Sequence, residues 1–370
     1  MKTCGIICEY NPFHNGHQYQ IEQARKKTNA DVVIAIMSSH FMQRGEPAFI
    51  DKWKRAEAAV KNGIDVVIEL PYIYATQAAH QFAQGGVDLL KLADVDYISF
   101  GSECGNIENL SEIADTPVNL NHIKEIMDTG ASFPKAYSLL TSQMEPNDIL
   151  AVCYLKAIKD TKIKPVLIQR NTGYFDETIQ PLASAYAIRN ACMQKKDIEI
   201  TTPMKEELLH SSYVTMDMFY PYIRTYLMMT PSSKLSEYFL ISEGIENHLK
   251  KNAEKCATYQ EFIQACVNYR YTASKIRRCL VQIMMQITKE DVKNLPKLDT
   301  LRSLAFNNKG REWLHSKRKE EVHIASKFAE IPKSYRDIEF QATQLYTSVL
   351  PEEERKRLLD LEIKGAHYIR

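Results

Sequence analysis

A chain of 370 residues with 45% hydrophobic and 25% charged residues has an ordinary globular composition, and its length suits two domains. No stretch approaches the roughly 20 apolar residues that span a bilayer, and Met1-Lys2-Thr3 leads into a strand-like run without a long apolar signal core, so a cytoplasmic location is expected. The formal net charge of +1 excludes a strongly basic or acidic chain, yet Arg270–Lys319 holds thirteen Lys/Arg against four Asp/Glu, a candidate polyanion surface. The eight cysteines form no C-x-x-C pair and no His/Cys cluster has ligand spacing. Reduced core thiols are therefore expected, and no metal site.

Taken in chain order, the first 200 residues alternate strands and helices. Lys2–Cys8 reads as a buried strand and Asn15–Thr28 as an amphipathic helix with Ile21 and Ala24 on its apolar side. Asp31–Met37 is a second strand, and Lys52–Asn62 a helix closed by Gly63, which suits a left-handed position. Asp65–Leu70 is a third strand stopped by Pro71. A helix over Ala75–Ala93 leads to a fourth strand, Tyr97–Phe100. Helices are expected at Ile107–Ile113, Val118–Asp128 and Asp148–Lys159, then a fifth strand at Pro165–Gln169 and a helix at Ser184–Gln194. Short apolar strands between helical segments predict a Rossmann-like α/β domain with a parallel sheet over residues 1–200. Beyond residue 200 the strand signal fades. Glu206–Leu209, Val214–Leu227, Ser233–Phe239, Ala257–Asn268, Ser274–Ile287 and Glu352–Leu361 are helix candidates, so residues 201–370 are expected to form a mainly helical domain. Ligands of such sheets bind where strand ends lead into helices.

The strongest motif sits at one such end, His14-Asn15-Gly16-His17. With 10 His and 13 Gly in the chain, H-x-G-H is expected by chance only about 0.01 times. It follows the first strand and opens a helix, whose N-terminus offers unpaired N–H groups and a positive dipole end to phosphate. Gly16 lets phosphate approach the backbone. A spacing of three puts His14 and His17 on one side of the first turn, where two imidazoles can donate to an α-phosphate as charge builds on it. The plainer alternative is two histidines satisfied by neighbouring carbonyls. A second signal is Ser184-Ala185-Tyr186-Ala187-Ile188-Arg189: Ser184 can cap a helix and Arg189 can reach a leaving pyrophosphate. By itself this is also the pattern of a capped surface helix.

Together the two motifs resemble the H-x-G-H nucleotidyltransferase superfamily, in which the second signature reads I-S-S-T-x-x-R. More narrowly, Gly5–His17, Gln43-Arg44-Gly45-Glu46-Pro47-Ala48, Phe100-Gly101-Ser102-Glu103 and Pro146-Asn147-Asp148-Ile149-Leu150 resemble the bacterial tRNA(Met) cytidine acetate ligase family, over nearly the whole chain. Departures are Cys8 for an aliphatic residue, Asp148 for a second Asn, and Ala185 and Tyr186 for Ser and Thr.

The resemblance implies an enzyme that activates acetate with ATP as acetyl-adenylate, releasing pyrophosphate, and acetylates N4 of the wobble cytidine of elongator methionine tRNA. It implies that the segment Ile7-Cys8-Glu9-Tyr10-Asn11-Pro12-Phe13-His14-Asn15-Gly16-His17-Gln18-Tyr19-Gln20 binds ATP, with Gly101, Asn147 and Arg170, and that Mg2+ accompanies the triphosphate. Acetate is already ionised at neutral pH, so its attack needs no general base, and positioning with charge stabilisation can carry the step. Two further features fit an RNA substrate. Gln43–Asp51 can form a mobile loop over the site with Arg44 on phosphate or substrate, or equally a solvated loop. Lys275, Arg277, Arg278, Lys309 and Arg311, with Arg302, can grip tRNA phosphates, while Tyr269, Tyr271 and Phe306 offer rings for unpaired bases; a solvated helix face is the alternative. A small-molecule adenylyltransferase of the same superfamily would not need the basic helical part. A non-catalytic nucleotide-sensing RNA-binding protein would not need His14, His17, Ser184 and Arg189 intact. A class I aminoacyl-tRNA synthetase would carry a K-M-S-K-S run, which is absent here.

Overall fold

The computed structural model describes residues 1–116, 125, 144–170, 177–320 and 322–370. The five expected strands, β1 (Thr3–Cys8), β2 (Val32–Ser38), β3 (Val66–Leu70), β4 (Tyr97–Ser102) and β5 (Lys164–Gln169), form a parallel sheet in the order β5-β4-β1-β2-β3. Successive side chains of a strand face opposite ways. Ile6, Val33, Ala35 and Val67 therefore enter one core and Ile7, Ile34, Ile36, Val66 and Ile68 the other. Burial on both faces is why these strands read as unbroken apolar runs.

The first core is covered by α1 (Asn15–Thr28), through Ile21 and Ala24, and by α2 (Lys52–Lys61), through Trp53, Ala56 and Ala59. Gly63, just past α2, has φ +108°. The expected helix over Ala75–Ala93 is two pieces, α3 (Tyr72–Ala75) and α4 (Ala79–Leu92). Thr76 interrupts it, its hydroxyl donating back to the Tyr72 carbonyl at 3.0 Å. α4 and, after α5 (Ile107–Asp115), α6 (Pro146–Ile158) cover the second core. The helix expected at Val118–Asp128 falls, but for residue 125, outside the described residues.

Past α7 (Ala185–Met193) come α8 (Lys205–Leu209), α9 (Met216–Met229), α10 (Ser232–Leu235), α11 (Ile245–Lys255), α12 (Tyr259–Cys266), α13 (Ala273–Met285) and α14 (Lys289–Lys293). The fading of strands beyond residue 200 needs correction. β6 (Thr300–Phe306) pairs antiparallel with β3 and carries β7 (His323–Ala325) and β8 (His367–Tyr368). α15 (Asn308–Lys319) joins the second core through Trp313 and Leu314, while α16 (Lys333–Thr347) and α17 (Glu352–Ile363) pack against each other. Sheet and cores thus draw on residues from both sides of position 200.

Arg302 hid β6. A charge mid-segment argues against a buried strand, but here it is neutralised from within. Its Nη1 lies 2.5 Å from Glu69 Oε2 and 2.7 Å from Glu362 Oε1, and Lys52 Nζ lies 2.6 Å from Glu69 Oε1 and 2.8 Å from Glu362 Oε2. Two cations and two anions close a buried square between β3, β6, α2 and α17. Arg302 is therefore not available to RNA, contrary to the expectation from its place in the basic segment.

Candidate active site

The turn between β1 and α1 is built by its own side chains. His14 is the N-cap of α1: its Nδ1 accepts the Gly16 N–H at 3.1 Å, and His17 Nδ1 accepts the His14 N–H at 3.2 Å. The rings stack with centroids 3.6 Å apart. Both Nδ1 atoms are acceptors, so each neutral ring carries its proton on Nε2. Neighbouring carbonyls, the plainer alternative, do not satisfy these Nδ1 atoms; backbone amides do. His14 is 3% exposed and His17 half-buried. Burial, then Arg170 and Arg189, lowers His14 to about 3; burial, then His14 and Arg170, pushes His17 well below its ordinary value. Gly16 is also constrained by His14: a Cβ there would meet His14 Cε1 at 2.9 Å.

The rest of the segment is largely scaffold. Asn15 turns away from the turn, Nδ2 donating to the Pro181 and Ile200 carbonyls at 2.9 and 2.8 Å. Thr202 Oγ1 donates to the Phe13 carbonyl at 2.7 Å. Tyr10 and Phe13 are buried and pack edge to face at 5.0 Å. Glu9 Oε1 accepts the Gln43 N–H at 2.6 Å and Asn11 Oδ1 the Phe49 N–H at 2.7 Å, so the loop after β2 hangs on the loop after β1. Burial raises the Glu9 carboxyl against the Gln43 N–H and the charges of Arg44, Arg55 and Arg189. The mobile or solvated loop expected at Gln43–Asp51 is instead anchored and largely buried. Gly45, at φ +76°, lies where a Cβ would come 2.3 Å from the Arg278 nitrogen, and Phe41 bridges Pro47.

Around this turn lie two clefts. The first, about 480 Å³, is lined by His14, Gly16, Tyr19, Gln20, Gly101, Ile168, Gln169, Arg170 and Leu182, at the carboxyl ends of β1, β4 and β5. Gly101 leaves room for Arg170, whose Cδ would be 3.0 Å from a Cβ there. Asn147 stands behind this wall, donating to Glu103 Oε1. Asp148 beside it accepts from Ser102 Oγ and, at 3.1 Å, the Glu103 N–H. The second cleft, open and about 1010 Å³, includes Asn11, Arg44, Glu46, Phe49, Tyr186, Arg189, Tyr259 and Arg277 in its walls. Both volumes count the space open to solvent at the mouth of each cleft. Ser184 lines neither: it is 2% exposed and caps α7, accepting the Ala187 N–H at 3.0 Å. Arg189 stands at the partition, Nη1 donating to the Asn11 carbonyl at 2.7 Å.

The basic residues do not form one surface. Arg277 pairs with Glu46 at 2.8 Å, Lys275 Nζ donates to the Leu240 carbonyl at 2.7 Å, and Arg278 is 8% exposed. All three sit on α13 beside the loop after β2. Lys309 and Arg311 begin α15, directly after Phe306, which pairs with Val66 at the amino end of β3. They lie at the amino ends of the parallel strands, the opposite end of the sheet from the clefts. Of the expected stacking rings, Tyr271 is buried with its hydroxyl on the Glu243 carbonyl, while Tyr269 is 43% exposed and Phe306 packs near Tyr368.

The HIGH Nucleotidyl Transferase family matches residues 1–360. The chain belongs to this family. Among HIGH nucleotidyl transferases it is 35% identical to the tRNA(Met) cytidine acetate ligase of Lysinibacillus sphaericus, over 94% of each chain. It is 36% identical to the tRNA(Met) cytidine acetate ligase of Limosilactobacillus reuteri, over 96% of this chain and 97% of that one. Among solved structures, apo Thermotoga maritima TmcAL superposes with a TM-score of 0.91 at 29% identity, and the same protein bound with alpha-thio ATP with 0.88 at 30% identity, each over 100% of both chains.

One residue that holds these loops together escaped the sequence. Arg55, fully buried on α2, donates to the carbonyls of Glu9 (2.6 Å), Ser38 (3.1 Å), Ile50 (3.2 Å) and Ser39. It staples the ends of β1 and β2 together. Nothing in its local sequence marks it, because the carbonyls it serves come together only in the fold.

Proposed function

We propose that this HIGH nucleotidyl transferase is an ATP-dependent ligase that forms acetyl-adenylate and acetylates N4 of the wobble cytidine of elongator methionine tRNA. The carrying observation is that relatives matching over 94% or more of both lengths bear the name tRNA(Met) cytidine acetate ligase. The first cleft is the proposed ATP site, with His14, Gly16, Tyr19, Gln20, Gly101 and Arg170 in its wall. Ile7–Phe13, Asn15, His17, Gln18 and Asn147 act there as wall or support.

In this reading an acetate oxygen attacks the α-phosphorus and pyrophosphate leaves. The Nε2–H groups of His14 and His17, neutral at physiological pH, donate to the α-phosphate oxygens as negative charge accumulates. Arg170 and Arg189 supply the positive field. The cytidine amine then attacks the acetyl carbonyl and AMP leaves. Ser184 takes part by starting α7, which aims Arg189. Among the described residues no three His, Cys, Asp or Glu side chains gather into a cage. Magnesium is proposed to arrive on the triphosphate with its own waters.

The test is pyrophosphate release from ATP with and without acetate, followed by addition of total tRNA. Acetate-dependent release and acetate label in tRNA are expected. ATP cleavage that no carboxylic acid stimulates, with or without tRNA, would refute the ligase reading.

A further inference from the structure

The second cleft needs an occupant. ATP has the first cleft in the reading above, and acetate, with two carbons, would leave most of this one empty. Three guanidiniums, Arg44, Arg189 and Arg277, enter its wall from the loop after β2, from α7 and from α13, against the two carboxylates Glu46 and Asp217. Glu46 pairs with Arg277 at 2.8 Å and Asp217 accepts from the Gln260 amide at 2.6 Å, which leaves the wall one net positive charge. The walls therefore favour an anion. They also carry the rings of Phe49, Tyr186 and Tyr259. Phe49 and Tyr259 are buried in the wall, Phe49 stacked on Tyr213 with centroids 4.2 Å apart, so the partly exposed ring of Tyr186, 5.9 Å from the Arg189 guanidinium, is the one that can take a base. Rings that take a base on their face, with guanidiniums for the phosphates beside it, are how proteins hold an unpaired nucleotide of RNA.

The partition supports the same occupant. Asn11 gives its carbonyl to Arg189 and its side-chain oxygen to the Phe49 amide, so one residue braces two walls of the second cleft. His14, three residues on, lines the first. Arg170 from the first cleft and Arg189 from the second both act electrostatically on His14. A group activated beside His14 is thus reachable across a single turn of chain.

Resting on the ligase reading, we infer that this second cleft, walled by Arg44, Phe49, Tyr186, Arg189, Tyr259 and Arg277, receives the acceptor pyrimidine nucleotide of the RNA, unstacked from its neighbours. Of the basic residues on α13, Arg277 is the one that enters it. Lys309 and Arg311, at the amino ends of the parallel strands, have no part in it.

The test measures KM for ATP and KM for a synthetic anticodon stem-loop RNA with cytidine at the wobble position. The proteins are the unaltered chain, Arg44→Ala, Arg277→Ala and the conservative Arg277→Lys. Losing one guanidinium–RNA contact is expected to raise the RNA KM about tenfold in each alanine variant, the scale of a charge-assisted hydrogen bond, with the ATP KM changed by less than about twofold. Arg277→Lys is expected to recover part of the loss. If the unaltered protein transfers no acetyl group to the RNA, the ligase reading fails and the pocket with it. If transfer occurs but the RNA KM is unchanged in both alanine variants, or rises in step with the ATP KM, the pocket assignment alone is overturned.

Discussion

At His14 one ring nitrogen accepts the Gly16 amide while the other, in the proposed mechanism, carries the proton offered to substrate, so removing the ring would remove a helix cap and the proposed donor together. His14→Ala is expected to cost about 1 kcal/mol in stability, measured by urea unfolding, and to slow adenylation by about 10²–10³. His14→Asn separates the two effects. Its Oδ1 can cap the helix and restore stability, but its shorter side chain leaves the donor out of reach, so pyrophosphate release stays slow. Full recovery of rate in the asparagine variant would remove His14 Nε2 from the mechanism. His17→Ala, whose ring accepts only from the His14 amide, should lose a similar factor in rate.

At the scale of elements, the loop after β2 is clamped between two neighbours, with Glu9 and Asn11 on one side and α13 on the other. Gly45 is where the clamp is tightest. Its φ of +76° disfavours a side chain, and a Cβ would press on the Arg277–Arg278 backbone. Gly45→Ala is expected to cost at least about 2 kcal/mol from the backbone conformation and overpacking combined, read as a lower urea midpoint. An unchanged midpoint would mean that the loop and α13 are not in register-fixing contact. The same clamp explains what could be read from sequence. β1, β2 and β3 were visible because each is a short apolar run buried on both faces, and the His14–His17 turn because its residues are contiguous. β6 was hidden by Arg302, whose counter-charges Glu69 and Glu362 lie 233 and 60 residues away. The second cleft was hidden for a related reason: its walls come from six separate segments, and of its residues Asn11, Arg44, Arg189 and Arg277 were candidate site residues from sequence. Lys309 and Arg311 looked like neighbours of α13 because they are close in sequence, but β6 carries them to the amino ends of the parallel strands.

For the whole molecule, buried titratable groups set a pH profile. His14, His17 and His40 are held neutral by burial, with His14 lowered to about 3. Unfolded, each takes a proton below its ordinary value of 6.5, so these groups lower stability as pH falls from there. Glu339 acts in the opposite sense. Burial, then the charge of Glu69, raises its carboxyl to about 8, while its Oε1 accepts the Tyr72 amide at 2.6 Å. It is protonated when folded and ionised when unfolded between its ordinary 4.5 and about 8, so its contribution is lost as pH rises through that window. Three groups outweigh one below pH 6.5, and the one acts alone above it. The melting temperature is therefore expected to peak near pH 6.5 as far as these groups decide it. Glu339→Gln keeps the acceptor for Tyr72 and should flatten the decline between pH 6.5 and 8 in thermal melts. A decline that persists unaltered would assign it to other groups.

The square of Lys52, Glu69, Arg302 and Glu362 also imposes an order in time. Glu362 lies 310 residues after Lys52, and a ribosome makes about 5–20 residues each second. For many seconds the early part of the chain therefore exists without the last of its four charges. During that interval the α2 and β3 residues can pair Lys52 with Glu69, but once Arg302 arrives a second cation faces the same carboxylate. Burying a charge whose partner is missing costs about 3–5 kcal/mol. The sheet cannot close cheaply around β6 until α17 has emerged, so the nucleotide cleft and the helices that would hold RNA are expected to reach their final form together, after synthesis of α17 rather than in the order in which they are encoded.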